Sequence, residues 1–324
     1  MSDVATASRQ LPTHIDSTML SAWNQCGKKF EYEYVYGLRP SALSVDLHAG
    51  ATFAGTIETF YKLFWSGLDV QTALLRSHLT FQALWGDFEL NKDSPKTKEN
   101  MWIAVEDFVR AYPPASDPIQ PFFSSGVPTF EFSFAIPLDF PGFPSHPSGG
   151  PFVYCGRPDL LGMLSNRIVV LDNKTSGRLA SDWAKQWDLR SQFLGYCWAV
   201  SLTLAPCHTV VIRGTIIRKR DIEQVTATKL FAQWEIDRWF EQLRRNLHRL
   251  VRQWNDGYFD FNLGESCTSY GGCAFHDLCK SPTPQVWFDT FRRERWNPLL
   301  RNPINARQII PGEAPPAPLS GKAA

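Results

Sequence analysis

The residues best suited to chemistry in this chain are two aspartates and a lysine near its middle, Asp159, Asp172 and Lys174. Two carboxylates close together repel each other unless a cation lies between them. Mg²⁺ or Mn²⁺ suits such a place, because these hard ions bind carboxylate oxygens and retain water ligands. The bound ion acidifies its water and stabilises charge that builds on a phosphate, while an ammonium group can orient the water. The trio therefore predicts metal-dependent hydrolysis of a phosphodiester.

These three side chains meet only if the chain around them forms a β-hairpin. Two strands are predicted, Phe152–Met163 and Arg167–Thr175, joined by a turn at Ser165 and Asn166. Residues equally far from this turn face each other, which places the two aspartates opposite one another. The lysine, two residues beyond the second aspartate, lies on the same face by strand alternation. Pro158 cannot donate to a ladder, so an edge or a bulge is expected beside the first aspartate.

The alternative is that the trio consists of ordinary strand-end and turn residues, because Asp-x-Lys is a very common tripeptide. The surrounding sequence favours the functional interpretation. The run Ile168–Leu171 predicts a buried strand that holds the second aspartate rigidly, and Gly156-Arg157 comes shortly before the first.

Three short motifs, taken in order, resemble those of the RecB-like branch of the PD-(D/E)XK nucleases, which includes the AddB nuclease domain and the nucleases of CRISPR adaptation. The motifs are Gly156-Arg157-Pro158-Asp159-Leu160, Val170-Leu171-Asp172-Asn173-Lys174-Thr175 and Gln192-Phe193-Leu194-Gly195-Tyr196. The opening pattern, Ser21–Cys26 followed by Phe30–Pro40, is also similar, so the resemblance covers about 17–280. It implies that Asp159 and Asp172 are metal ligands and that Lys174 is the catalytic lysine. It also implies that Gln192 and Tyr196 face the substrate strand from one face of a helix.

One departure from the family pattern concerns a metal ligand. Relatives usually carry a helix with the pattern Gly-x-x-x-His-x-x-x-Glu. Here Gly50 and Glu58 fit that frame, but Ala54 stands at the position of the histidine. The resemblance therefore implies Glu58 as a further metal ligand and leaves the effect of Ala54 on activity open.

Four cysteines have polar neighbours and are candidate ligands of a second centre: Cys26, Cys267, Cys273 and Cys279. The resemblance implies that they hold a [4Fe–4S] cluster, and a structural Zn²⁺ is the alternative because four thiolates also suit tetrahedral zinc. The first gap among the last three is longer than is usual in the family, and Gly271-Gly272 supplies a tight loop between them. His276 is an alternative nitrogen ligand, and four unrelated reduced cysteines are a further alternative. The remaining cysteines lie in apolar stretches and are expected in the core.

The elements around these residues predict an α/β fold, with a mixed central sheet, flanking helices and a helical N-terminal lobe. The resemblance implies that this fold is the restriction-endonuclease-like core of the PD-(D/E)XK family. Helical segments are predicted at Ser17 (N-cap) to Gln25, Lys28–Val35, from Gly50 onward, Leu68–Phe88, Lys98–Ala111, Asp182–Leu204 and Leu230–Trp254, and further strands at Phe130–Phe134 and Val210–Lys219. The predicted organisation is a disordered tail (1–16), one nuclease domain (17–300) and a flexible Pro/Ala-rich tail (301–324). Within that domain we expect a helical lobe at about 17–112, a catalytic core at about 129–256 and a Cys-rich segment at 257–300.

Composition limits the possible classes of protein. The chain has 324 residues, 44% of them apolar, and a formal charge of +1, so it can form a core but has no global positive field. Nucleic-acid binding would need only a local basic strip. No apolar window has the length of a membrane span, and Met1–Pro12 lacks a hydrophobic signal core. These features predict a cytoplasmic protein with no membrane partner, whose cysteines are expected to be reduced.

Together these observations predict a RecB-like DNA nuclease of a bacterium or phage, acting in recombination, repair or DNA processing on single strands or duplex ends. The chain has no Walker motif, so any helicase activity would come from a partner. The alternatives are a catalytically inactive DNA-binding or assembly subunit that retains the fold, and a zinc-stabilised scaffold. Exonuclease or endonuclease action, polarity, strand preference and oligomeric state stay open.

Overall fold

The computed structural model describes residues 9–41, 44–88, 94–124, 126–130, 132–268, 272–299 and 307–308. The described residues divide into two compact units. The first comprises those within Met1–Ala42, Phe134–Gly156 and Arg238–Glu313, and the second comprises those within Leu43–Ser133 and Arg157–Asp237. The predicted helical lobe, 17–112, therefore contributes residues to both units.

The helices of the described residues match most of the predicted helical segments. They are α1 (Ser17–Gln25), α2 (Gly27–Phe30), α3 (Val45–Trp65), α4 (Val70–Trp85), α5 (Lys98–Ala111), α6 (Ser191–Thr203), α7 (Gln233–Asn255) and α8 (His276–Lys280), with a π-helical turn at Glu31–Val35 and 3₁₀ turns at Lys185–Trp187, Glu265–Cys267 and Pro284–Thr290. The predicted N-cap of α1 was wrong by one residue. Asp16 is the cap, because its carboxylate accepts a hydrogen bond from the Met19 amide at 2.8 Å, three positions on.

The strands are β1 (His14–Ile15), β2 (Leu38–Arg39), β3 (Gln120–Pro121), β4 (Phe123–Ser124), β5 (Val127–Pro128), β6 (Phe134–Pro137), β7 (Val153–Gly156), β8 (Leu160–Leu164), β9 (Arg167–Ser176), β10 (Thr209–Ile217), β11 (Ile222–Leu230), β12 (Arg292–Arg293) and β13 (Arg307–Gln308). The second unit holds a five-stranded sheet in the order β11-β10-β9-β8-β3. Strands β9 and β10 are parallel and the other pairs are antiparallel, so the sheet is mixed. This confirms the predicted α/β class.

The hairpin β8–β9 has the predicted turn and register. Ser165 and Asn166 have φ values of 49° and 62°, the left-handed pair that a two-residue hairpin turn needs. Leu160 pairs with Leu171, so the next pair outward in that register is Asp159 and Asp172. The predicted register is therefore confirmed up to the Leu160–Leu171 pair, which is adjacent to the two aspartates.

The core of the second unit packs the helical layer onto one face of its sheet. Buried side chains of α3, α4 and α5, such as Phe53, Phe81 and Phe108, form one cluster with Val169 and Leu171 of β9. Strand alternation then directs the even-numbered residues of β9 to the opposite face. The helices thus anchor the strand that carries the predicted catalytic residues.

Several predicted boundaries differ from the structure. The predicted strand at 152–163 is two strands, β7 and β8, because Arg157-Pro158-Asp159 interrupts it and proline cannot donate to a ladder. The segment 130–134, predicted as a strand with alternating residues, is a strand only from Phe134. Ser133 is buried, and Glu131 lies outside the described residues.

Two further differences follow the catalytic hairpin. The predicted helix at 182–204 begins only at Ser191, after a 3₁₀ turn. Strand β11 was not predicted, because it contains Glu, Gln, Thr and Lys and has only a weak alternating pattern. The predicted start of the last long helix shifts to Gln233.

The first unit contains a sheet in the order β1-β7-β6-β13 and the two-stranded pair β12-β2. Tyr32, Leu38, Phe275, Leu278 and Phe288 form its aromatic cluster, against which Cys273 and Cys279 pack. Residues 14–15 form β1 and Leu11 is buried, so the predicted disordered tail is ordered at 9–16. Residues 1–8, Gly271 and, except for β13, the predicted 301–324 tail lie outside the described residues. Among the described helices, none combines the length and apolar character required to span a membrane.

Candidate active site and cysteine pocket

Asp159 lies just before β8, in the segment that breaks the predicted strand. Its Oδ2 accepts a hydrogen bond of 2.6 Å from the backbone N–H of Asn173. Burial, and secondarily the charge of Asp172, raises the pKa of Asp159 to about 7, although Lys174, the Asn173 N–H and Arg157 act in the opposite direction. The two predicted ligands therefore interact strongly through their charges.

Asp172 and Lys174 project from the same face of β9. Asp172 is only 2% exposed, and the Lys174 Nζ lies 2.5 Å from its Oδ1. The ammonium also lies 5.9 Å from the ring centre of Phe193 in α6. A buried carboxylate thus has a partly exposed ammonium as its partner.

Gln192 and Tyr196 lie one turn apart on α6 and bind each other. The Gln192 amide donates to the Tyr196 hydroxyl at 2.9 Å, and that hydroxyl donates to the Arg157 carbonyl at 3.1 Å. Tyr196 is 5% exposed. It therefore contacts the backbone two residues before Asp159.

Glu58 and Ala54 lie one turn apart on α3 and line a small pocket with Asp159, Asn173 and Arg213. The Glu58 carboxylate forms an ion pair with Lys62 on its own helix. At the position where the family pattern has a histidine, only the methyl group of Ala54 lines this pocket.

The donor chemistry of the aspartate pair fits a divalent cation. Asp159 binds a proton more tightly because of burial and, secondarily, the charge of Asp172, and a cation between the two carboxylates would stabilise their charged forms. Glu58 lines the same pocket as Asp159 but is directed to Lys62. Over the described ranges, no three or more His, Cys, Asp or Glu side chains are arranged as a set that could hold a metal ion.

The four predicted cysteine ligands line one pocket of the first unit, together with His276. Burial, and after it the neighbouring Cys273, Cys26 and Cys267 in that order, raises the pKa of the Cys279 thiol to about 11, while Lys28 acts in the opposite direction. Four thiols at one pocket are the type of donor that a cluster or zinc uses, but within the described part of the chain their arrangement is not one of a metal-binding set. The sulfurs of Cys26 and Cys267 instead contact the carbonyls of Asp260 and Asn262, both at 3.9 Å.

The other three cysteines, Cys155, Cys197 and Cys207, are buried as predicted.

One buried ion pair beside the site was not predicted. Arg213 of β10 pairs in register with Asn173 and forms a buried ion pair with Asp117, with its Nη2 2.6 Å from Asp117 Oδ2. Both side chains are 4% exposed. The partners are far apart in the chain, so no local pattern in the sequence could have paired them.

Comparison with known families identifies the class of protein. The model of the PD-(D/E)XK nuclease superfamily matches residues 17–280. The chain belongs to the PD-(D/E)XK nuclease superfamily.

Two solved structures show weaker likenesses. A "Putative exonuclease" from Eubacterium rectale is 10% identical, with a TM-score of 0.43, over 80% of this chain and 88% of that one. The structure of SSO0001 is 12% identical, with a TM-score of 0.29, over 70% of this chain and 84% of that one. The comparison with curated proteins finds no match. The family assignment rests on the family model alone.

Proposed function

We propose that this chain is a metal-dependent deoxyribonuclease of the RecB-like branch. The observation that carries the proposal is the pair of neighbouring aspartates, Asp159 and Asp172, with Lys174 beside it at the end of one hairpin. Within a nuclease superfamily, that combination is suited to hydrolysis of a phosphodiester. We propose DNA, as single strands or duplex ends, as the substrate.

Each residue has a proposed role. Asp159 and Asp172 hold Mg²⁺ or Mn²⁺, with Glu58 contributing if its carboxylate leaves Lys62. The ion, when bound, supplies an acidified water and stabilises charge on the phosphate. Lys174 carries the positive charge that orients the attacking water or faces the phosphate.

Gln192 and Tyr196 complete the site on the side of α6. Tyr196 holds the Arg157 carbonyl, and so fixes the backbone that leads into Asp159. We propose that Gln192, on the same helix face, contacts the substrate strand.

Cleavage of labelled single-stranded and double-stranded DNA in the presence of Mn²⁺ tests the proposal. Wild type is expected to degrade DNA, and Lys174→Ala and Asp172→Asn to lose activity by about a hundredfold or more. Lys219→Ala, at an exposed lysine of the second unit, is the control and should keep full activity. Equal and negligible cleavage by wild type and Lys174→Ala would refute the enzymatic function.

The second candidate function is an inactive DNA-binding or assembly subunit. It is favoured by Ala54 and by the ion pair that occupies Glu58. Calorimetric titration with Mn²⁺ separates the two functions, because a degenerate site should show no binding that depends on Asp172.

We also propose that Cys26, Cys267, Cys273 and Cys279 hold a [4Fe–4S] cluster with a structural role, and that Zn²⁺ is the alternative occupant. The shared pocket and the mutual effect of these thiols on the pKa of Cys279 support this proposal. Anaerobic purification, a visible spectrum and elemental analysis test it. A colourless protein that contains zinc would favour the zinc site, and absence of both metals would refute a metal centre.

The setting we propose is the cytoplasm of a bacterium or a phage-infected cell, in recombination, repair or phage DNA processing. A helicase or recombination partner would supply any unwinding. Copurification of such a protein with a tagged chain from a bacterial host, lost on mutation of the surface that binds it, tests the partnership.

A further inference from the structure

The strand next to β9 lacks a side chain beside the proposed catalytic lysine. Strands β9 and β10 are parallel, and Lys174 pairs in register with Gly214. Residues in register project to the same face of a sheet. The face that carries Asp172 and Lys174 therefore has open space over Gly214.

The indole of Trp183 fills that space. A Cβ added to Gly214 would lie 2.4 Å from Cζ2 of Trp183 and 2.8 Å from Cγ2 of Val225. Glycine is therefore needed at this position because the indole lies against the strand backbone. The backbone of Trp183 is held by a turn, in which the Trp183 backbone N–H donates to the Ala180 carbonyl at 3.0 Å.

From Trp183 a row of rings continues to the lysine. The ring centres of Trp183 and Trp187 are 5.6 Å apart, and those of Trp187 and Phe193 are 5.8 Å apart. The ammonium of Lys174 then lies 5.9 Å from the Phe193 ring. All three rings are at least nine-tenths buried, so they cannot stack on substrate bases, and their effect must pass through the residues that they contact.

We propose that Trp183, seated on Gly214, is a positioning residue for Lys174; this inference rests on the proposed function of that lysine. Lysine has a long flexible side chain that loses rotamer freedom when it must hold one geometry. The rings of Trp183, Trp187 and Phe193 close off one side of the space in which it moves. They thereby keep the ammonium directed toward Asp172.

Changes at Trp183 and Gly214 test the inference by cleavage kinetics. Trp183→Ala and Gly214→Ala are expected to lower kcat by about tenfold or more, since small displacements of a catalytic group are costly. KM for DNA and the Mn²⁺ affinity should stay unchanged, because Asp159 and Asp172 are untouched. The double variant should be no slower than Trp183→Ala, because both changes act on one contact. Trp183→Phe should recover part of the rate, and Trp234→Phe, at an exposed tryptophan, should match wild type.

A second measurement does not need cleavage activity. Lys174 is 30% exposed, so its reaction with an amine reagent can be followed by peptide mass spectrometry. Trp183→Ala and Gly214→Ala should react several times faster at Lys174 than wild type does, and Lys219 should react equally in all. Trp183→Phe replaces Trp183→Ala if the latter fails to fold by circular dichroism.

The outcomes distinguish the inference from the proposed function. If the two variants are labelled faster at Lys174 than wild type but wild type does not cleave DNA, the nuclease function is refuted and the positioning role is kept. Unchanged labelling together with an unchanged kcat, or a loss of Mn²⁺ affinity equal to the loss of kcat, would overturn the positioning role.

Discussion

At the scale of single residues, the site depends on the protonation state of Asp159. Its half-buried side chain lies next to Asp172, and its carboxylate accepts a hydrogen bond from the Asn173 backbone N–H. The folded protein therefore binds a proton at Asp159 more tightly than the unfolded chain does. A cation competes for the same place, so proton and metal binding should oppose each other there.

This proton affinity predicts a pH-dependent stability for the metal-free protein. The pKa of Asp159 is about 7 in the fold against 3.8 in an unperturbed chain. Between these values the folded state holds the proton and the unfolded state does not, so this residue makes the free energy of unfolding fall as pH rises from about 4 to about 7. Urea unfolding without metal, at several pH values, should show a shallower fall in Asp159→Asn. Asp256→Asn, at an exposed position, should follow wild type; identical profiles for all three proteins would contradict the raised pKa.

Replacement of Ala54 by histidine is predicted to raise the affinity of the site for a metal ion. An imidazole at this position would enter the pocket that Glu58 and Asp159 line. Ala54→His should therefore tighten Mn²⁺ binding by roughly tenfold in calorimetry. Ala54→Leu fills the space without a ligand and should not do so; equal affinity in both variants would show that position 54 is not directed at the ion.

At the scale of elements, the hairpin is where the sequence was most informative. The turn residues, the register and the buried run were all visible locally, because strand alternation and turn chemistry act over a few positions. Pro158 predicted an irregularity in the strand, but not the division of that strand into β7 and β8. The division depends on which sheet each of the two strands joins. The missed strand β11 has weak alternation of its own and is recruited by its pairing with β10.

The turn predicts an effect on stability. Asn166 adopts φ of 62°, where a β-branched side chain clashes with its own backbone. Asn166→Val should lower the free energy of unfolding by about 1–2 kcal/mol in urea titration. Asn166→Gly, which accepts this conformation freely, should stay within about 0.5 kcal/mol of wild type. A neutral valine variant would mean that the turn changes conformation without cost.

The buried ion pair of β10 predicts a larger effect. Arg213 and Asp117 are nearly inaccessible to solvent, so removal of one partner leaves the other charge buried and unpaired. Asp117→Asn should lower the free energy of unfolding by about 3–5 kcal/mol. The double variant Asp117→Leu/Arg213→Met should recover most of that loss, whereas additive losses would show that the charges act independently.

At the scale of the whole molecule, the sequence predicted the class and the family but could not predict the two units. Sequence patterns report on neighbours in the chain, whereas the first unit collects three separate segments. The cysteine pocket shows the same limit. Its members were identified from their polar surroundings, and their meeting in one pocket came from the structure.

Removal of a metal from the cysteine pocket should lower the local stability of the first unit. If a cluster or zinc occupies the pocket, chelation or Cys279→Ala should raise hydrogen exchange around the aromatic cluster of Tyr32, Phe275 and Phe288, because Cys273 and Cys279 pack against it. Cys155→Ala, a buried cysteine of the same unit outside the pocket, should leave that exchange near the wild-type level. Unchanged exchange after metal loss would argue against a structural role for the centre.

The pocket that contains Cys26 also has a consequence for biosynthesis. Cys26 contacts Asp260, which follows it by 234 positions. A ribosome adding 5–20 residues per second needs on the order of 10–50 s to cover that distance. During this interval Cys26 is present without the three later cysteines, so a cofactor that needs all four sulfurs can bind only after Cys279 has been synthesised.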